Sequence, residues 1–168
     1  LIASKGEDLG NVPGLLFKHR GSVRVNPPEA VRDLDELPLP DFSGFQLESY
    51  HSQVPVLPYL SSRGCFWRRC AFCTHQKTYL AYREESVEKT VNGLAALKDR
   101  HGVDHFNLVD EMIHPNRFRS LSRALMRKGV RAHWSAYAKP TRGFDGELLK
   151  DLHGAGLRVV LWGVESGS

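Results

Sequence analysis

A chain of 168 residues has the length of one ordinary domain and can bury a real core. With 41% hydrophobic and 25% charged residues, a mean hydropathy of -0.36 and no apolar run approaching ~18 residues, the membrane-spanning, collagenous and disordered classes are excluded. The formal charge of +4 suits an anionic partner, but the basic residues are scattered from Lys5 to Arg158, so charge alone selects no function.

Residues 1–55 are rich in Pro and Gly and read as an interdomain segment with a small hairpin. An apolar run from Gly14 to Phe17, a turn at His19-Arg20-Gly21 and the alternating Val23-Arg24-Val25 predict that hairpin. Asp33 to Asp41 carries Pro38 and Pro40, which forbid a continuing helix, and reads as a linker running over a neighbouring domain surface. The chain opens without an initiator Met or a signal peptide and closes on Gly163 to Ser168, so it reads as a piece of a longer protein.

From residue 56 to 168 the pattern is βαβαβαβ. A strand at Tyr59 to Ser61 follows Pro58, which a strand tolerates at its first residue. Ser86 caps a helix that sets Val87, Val91, Leu94 and Ala95 on one face and runs to Gly102. A second strand covers His105 to Asp110; a second helix starts at Pro115, buries Phe118, Leu121 and Leu125, and stops at Gly129. A third strand covers Val130 to Tyr137. Asp145 caps a third helix bearing Leu148, Leu149, Leu152 and Ala155, stopped by Gly154 and Gly156. The fourth strand, Leu157 to Gly163, is almost continuously apolar, as expected of a parallel strand covered on both faces. This order predicts an α/β fold with a parallel sheet, four βα units too few to close a barrel, and chemistry on the loops at the carboxyl ends of the strands.

Cys65, Cys70 and Cys73, the three cysteines of the chain, lie on the first of those loops. An odd number crowded into nine residues argues against a secreted disulfide framework and for metal chemistry in a reducing compartment, the cytoplasm. Three thiolates can cap three irons of a cubane and leave the fourth iron open, with Arg68 and Arg69 offsetting the cluster's charge. On ligand count, a zinc knuckle of the three cysteines plus His75 is equally good. Zinc modules usually make their own fold, however, whereas this triplet opens a βα series, so context favours iron. The rival function is a zinc-containing nucleic-acid module in which Arg68, Arg69, Lys77 and Arg83 touch phosphates while Phe66, Trp67 and Tyr79 stack on bases. That rival leaves the βα units without a purpose, and nucleic acid is accordingly the less favoured partner.

The triplet with an aromatic before its last Cys, Ser61-Ser62-Arg63-Gly64-Cys65, Leu108-Val109-Asp110-Glu111 and Trp162-Gly163-Val164-Glu165-Ser166-Gly167 together resemble the radical S-adenosylmethionine (radical SAM) superfamily, most closely its cobalamin-binding branch. The linker phrases Val12 to Leu15 and Asp35 to Pro40 resemble the segment that precedes the barrel in that branch. The spacing departs from the family's by one residue, C-x4-C for C-x3-C. The resemblance implies a partial barrel of the radical SAM type, here the first four βα units, truncated at the C-terminus. It implies a [4Fe-4S] cluster on Cys65, Cys70 and Cys73, and S-adenosylmethionine cleaved by one electron to a 5'-deoxyadenosyl radical for methyl transfer or related chemistry. It also implies cobalamin in a domain missing from this chain, and an electron donor such as flavodoxin or ferredoxin.

By the same resemblance, Phe72 lies against the adenine, Asp110 or Glu111 takes the methionine ammonium, and Glu165 binds the ribose hydroxyls, with Gly163 and Gly167 letting the cofactor approach. Ser135 or Lys139 reaches the cofactor's carboxylate or ribose. Asp151-Leu152-His153-Gly154-Ala155-Gly156 matches the D-x-H-x-x-G motif of cobalamin-ligating proteins, but its place at a helix end marks the match as accidental.

Overall fold

The computed structural model of the chain describes residues 9–75 and 81–165. It divides into two compact units between Arg32 and Asp33. In the first, β1 (Leu16–His19) and β2 (Ser22–Val25) form an antiparallel hairpin in the register Leu16 to Val25 and His19 to Ser22. Its two-residue turn passes through Arg20 and Gly21 at φ of 48° and 82°, the left-handed geometry that matches the twist of hairpin strands. The Asn26 side-chain amide donates to the carbonyls of Leu9 and Val12 at 2.7 and 2.8 Å and closes the unit's other end.

The second unit is built on β3 (Val56–Tyr59), β6 (His105–Leu108), β7 (His133–Ala138) and β8 (Leu157–Trp162), a four-stranded sheet in that order with every pair parallel. Between them run α1 (Val87–His101), α2 (Pro115–Lys128) and α3 (Gly146–Gly154). A two-stranded ribbon, β4 (Ser62–Arg63) against β5 (Arg83–Glu84), rises after β3.

The helix boundaries have local chemical causes. The side chains of Ser86 and Asp145 accept from the amides of Lys89 and Leu148, three residues on, and Gly102 and Gly129 end α1 and α2 at φ of 64° and 65°. β3 starts at Val56, three residues before the expected Tyr59, and takes Pro58 inside it. The sheet order leaves β3 at an edge, so the amide hydrogen that proline lacks costs no ladder bond.

One face of the sheet carries the core. Leu57, Tyr59, Phe106, Leu108, Trp134, Ala136 and Ala138 point into it and meet the apolar stripes of the helices, with Val91, Leu94, Phe118, Leu121 and Leu148 fully buried. Residues 33–55 pack on the same unit: Leu34 is buried, and Leu39, Phe42 and Leu47 lie against the core. The expectation that β8 is covered on both faces is corrected. Val159 and Leu161 are 52% and 41% exposed, because among the described residues the helices lie over one face only and these two side chains alternate onto the other.

Phe118 sits at the centre of this packing. It has no exposed surface, stacks on Trp134 with ring centroids 6.0 Å apart, and meets Phe144 edge-on at 5.6 Å. Phe118→Ala is expected to cost about 3–5 kcal/mol, the usual loss for an aromatic deleted from a core that cannot collapse onto the void. Urea unfolding of the two proteins checks it; a loss under about 1 kcal/mol would mean that the core repacks.

Candidate functional site

Because the four strands are parallel, their carboxyl ends share one side of the sheet, and the chemistry-bearing residues gather there. β3 leads into Ser61 and Ser62, β6 into Asp110 and Glu111, β7 into Lys139, and β8 into Glu165. The loop between β4 and β5 begins at Gly64, whose φ of 81° calls for glycine. It carries Cys65, Cys70 and Cys73, all three half-buried and none in a disulfide. The close pair is set by a turn in which the Cys73 amide donates to the Cys70 carbonyl at 3.2 Å. The one-residue-longer span before it passes through Arg68 in the left-handed region, φ 50°.

Side chains from several strand ends hold this loop. Asp110, 1% exposed, accepts from the hydroxyls of both Ser61 and Ser62 and from the Ser61 amide. Glu111 meets His75 Nδ1 at 2.6 Å through its Oε2. The Lys139 ammonium lies 4.5 Å from the centre of the Trp67 ring, and Arg69 approaches the same ring at 5.6 Å. Phe66 packs edge-on against His114 at 5.1 Å, the residue whose Nδ1 caps α2.

The predicted site residues therefore differ in what they can reach. Asp110 is sealed beneath the loop, whereas Glu111 is partly open. Phe72 is 69% exposed, which rules out a place in the core. Lys139 follows β7 directly. Ser135 lies lower, in mid-strand on the sheet's open face, where its hydroxyl donates to Asn107 Oδ1 at 3.0 Å. Glu165 has φ 64°, in the left-handed region, and turns back over Gly163: a Cβ added there would lie 3.2 Å from Glu165 Oε1. Trp134 is buried as expected, while Trp162 lies partly open against Phe144. His153 ends α3 and so lies toward the amino ends of the strands, away from the cysteines. Gly167, Lys77 and Tyr79 fall outside the described residues.

The donor set decides which group the loop could hold. Among the described residues no three His, Cys, Asp or Glu side chains converge as a single ion requires. His75, the proposed fourth zinc ligand, is bound to Glu111 instead. Three thiols on one loop, none of them in a disulfide, suit a cluster, in which each thiolate serves a different iron. Arg68, Arg69 and Lys139 supply positive charge nearby.

Burial pushes the Asp110 carboxyl up from the ordinary 3.8, against the hydrogen bonds from Ser62 and Ser61 and the charge of Arg117, which pull it down. A carboxyl whose folded value is raised favours folding most when protonated. Its contribution is therefore fully present below 3.8 and is lost as pH rises through the higher folded value. Asp110→Asn removes that dependence, so the wild-type chain should lose stability relative to the variant as pH rises from about 4 to 7. Urea midpoints of both proteins across this range check it, and parallel curves would contradict it.

Sequence reading missed Arg117, and it named Trp67 only as a base-stacking residue, not as the ring that Lys139 meets. Arg117 did leave a signal: it lies four residues before Leu121 and eight before Leu125, on the apolar stripe of α2, where a charge needs a reason.

The fold, a parallel sheet with the cysteine loop at its carboxyl end, is similar to that of a radical SAM protein. The chain superposes with a TM-score of 0.65 and 19% identity on TsrM, a radical S-adenosylmethionine methyltransferase from Kitasatospora setae solved with tryptophan and an aza-SAM analogue, covering 96% of this chain and 34% of that one. In sequence it is 28% identical to an uncharacterized methyltransferase of Pyrococcus horikoshii, over 98% of this chain and 37% of that protein. It is 29% identical to the anaerobic magnesium-protoporphyrin IX monomethyl ester cyclase of Cereibacter sphaeroides, over 94% of this chain and 27% of that protein. The chain thus spans roughly a third of the length of the proteins it matches. No protein-family model matches it. The resemblance to the radical SAM superfamily is borne out in both fold and sequence. No helix among the described residues is long and apolar enough to cross a membrane.

Proposed function

We propose that this chain is the cluster- and S-adenosylmethionine-binding part of a radical SAM methyltransferase. The carrying observation is three cysteines, none in a disulfide, on one loop at the carboxyl end of a parallel sheet, in a chain with no fourth cysteine. Cys65, Cys70 and Cys73 would hold a [4Fe-4S] cluster with one iron open, which when bound supplies the electron that splits the sulfonium of S-adenosylmethionine.

The chain's own residues bind and orient. Glu111, partly open at the end of β6, receives the methionine ammonium as a charge-assisted hydrogen bond. Lys139, at the end of β7 beside Trp67, offers its ammonium to the carboxylate. Glu165 presents two acceptors to vicinal ribose hydroxyls, and the bare Gly163 beneath it leaves room for the sugar. Phe72, standing out from the loop, covers the adenine. Ser135 borders the open face of the sheet, where it lines the space for substrate. Asp110 already accepts three hydrogen bonds below the loop and holds it there rather than touching the cofactor.

Methyl transfer is the outcome suggested by the names of the P. horikoshii and K. setae proteins. Cobalamin would be held by residues outside this chain, and the electron would come from a flavodoxin or ferredoxin. Anaerobic reconstitution with iron and sulfide tests the proposal. About four irons per chain, and an EPR signal of the reduced protein that changes when S-adenosylmethionine is added, are expected. One tightly held zinc and no cluster would overturn it.

A further inference from the structure

Arg117 is buried in the first turn of α2, yet its guanidinium reaches both stems of the cysteine loop. Nη1 donates to the Glu85 carbonyl at 2.8 Å, on the stem that leaves the loop, and lies 3.7 Å from the Glu84 carboxylate. Nη2 donates to the Ser61 hydroxyl at 3.2 Å, on the stem that enters it, and to Thr90 Oγ1 at 3.1 Å. The same Ser61 hydroxyl donates onward to Asp110 at 3.0 Å, and the Glu85 amide donates to the Ser61 carbonyl at 2.8 Å. A helix and a strand end, joined through one serine, thus grip the base of the loop from two sides.

Stability alone gives a poor account of this arginine. Burying a guanidinium costs solvation that an apolar side chain of similar volume would not, and its Nε hydrogen has no acceptor. What the arginine does that an apolar residue cannot is donate in two fixed directions at once, tying two backbone segments to a third element.

We infer that Arg117 and Asp110 form a positioning clamp that sets the cysteine loop at the carboxyl ends of the strands, and with it the placing of the three thiols relative to Glu111 and Glu165. The inference rests on the cluster reading for its catalytic meaning. The clamp itself is a property of the chain without a cluster.

The test uses Arg117→Met, which keeps most of the volume and removes every donor. In the iron-free chain, hydrogen exchange is measured at the amides of Cys73 and Glu85 and at amides within β6 and β7. The expected result is exchange at Cys73 and Glu85 faster by at least about tenfold, with β6 and β7 unchanged. Exchange that rises equally everywhere, or nowhere, overturns the clamp. In the reconstituted chain the iron content is expected to stay at the wild-type level. The S-adenosylmethionine concentration that half-changes the EPR signal should rise by about tenfold, as when a supporting contact of a metal site is lost. A wild-type response at full iron overturns the positioning role. If the wild-type chain takes up no cluster, the functional reading fails while the exchange measurement still decides the clamp. Should Arg117→Met fail to fold, Ser61→Ala, which removes the hydroxyl joining Arg117 to Asp110, is read by the same exchange, with the same two outcomes.

Discussion

Cys70→Ala should take the reconstituted chain from about four irons to essentially none and abolish the EPR signal of the reduced protein, while leaving the iron-free fold intact. Each cysteine would serve a different iron, so removing one leaves two irons of the cube without a protein thiolate, and no other cysteine exists to replace it. The thiols are half-buried and in no disulfide, so none contributes a cross-link or fills the core, and the urea midpoint of the iron-free variant should match that of wild type. The same loss is expected for Cys65→Ala and Cys73→Ala. Lys150→Ala, an exposed position in mid-α3, should keep the full iron content. A Cys70→Ala protein that still binds the full iron, or one in which His75→Ala removes a bound zinc, would contradict the assignment.

Gly156→Ala is expected to be strongly damaging for a change of a single methyl group. Gly156 joins α3 to β8 at φ 95°, and a Cβ there would collide with the Ala132 carbonyl oxygen, a backbone atom that cannot swing away. Its own carbonyl accepts from the Trp134 amide at 3.0 Å, so moving the glycine disturbs the β7–β8 pairing where the register already shifts. The strained φ and the overpacked contact together should cost roughly 3–5 kcal/mol. That is a large share of the ~5–15 kcal/mol that holds a domain folded. Gly129→Ala is the internal comparison: φ is 65°, but nothing lies within 4 Å of the added Cβ, so only the backbone strain of about 1–2 kcal/mol remains. Thermal and urea unfolding of the pair distinguish contact from strain, and equal losses would show that the collision with Ala132 is relieved elsewhere.

The elements were legible in the sequence where their causes are local. Ser86, Asp145, Gly102 and Gly129 act within a few residues of themselves, so α1, α2 and α3 begin and end where capping chemistry puts them. The hairpin through Arg20 and Gly21 is of the same kind. Strand ends were less legible: Val130 to Ala132 look like strand but only connect Gly129 to β7, because pairing with a neighbour, not propensity, decides where a strand starts.

The cysteine triplet and the acids at strand ends were also visible in order along the chain, since three thiols of one loop need no tertiary knowledge to be seen together. Which acid faces outward was not. Asp110 and Glu111 are adjacent and chemically alike, and only the sheet decides that the first turns under Ser61 and Ser62 while the second turns to His75. Arg117 meets Ser61 across 56 residues, and Lys139 meets Trp67 from another strand end. Composition, periodicity and capping act over a few residues and so were readable in advance; the grip on the cysteine loop depends on which side chains the parallel sheet brings to one edge, and that was decided only when the chain folded.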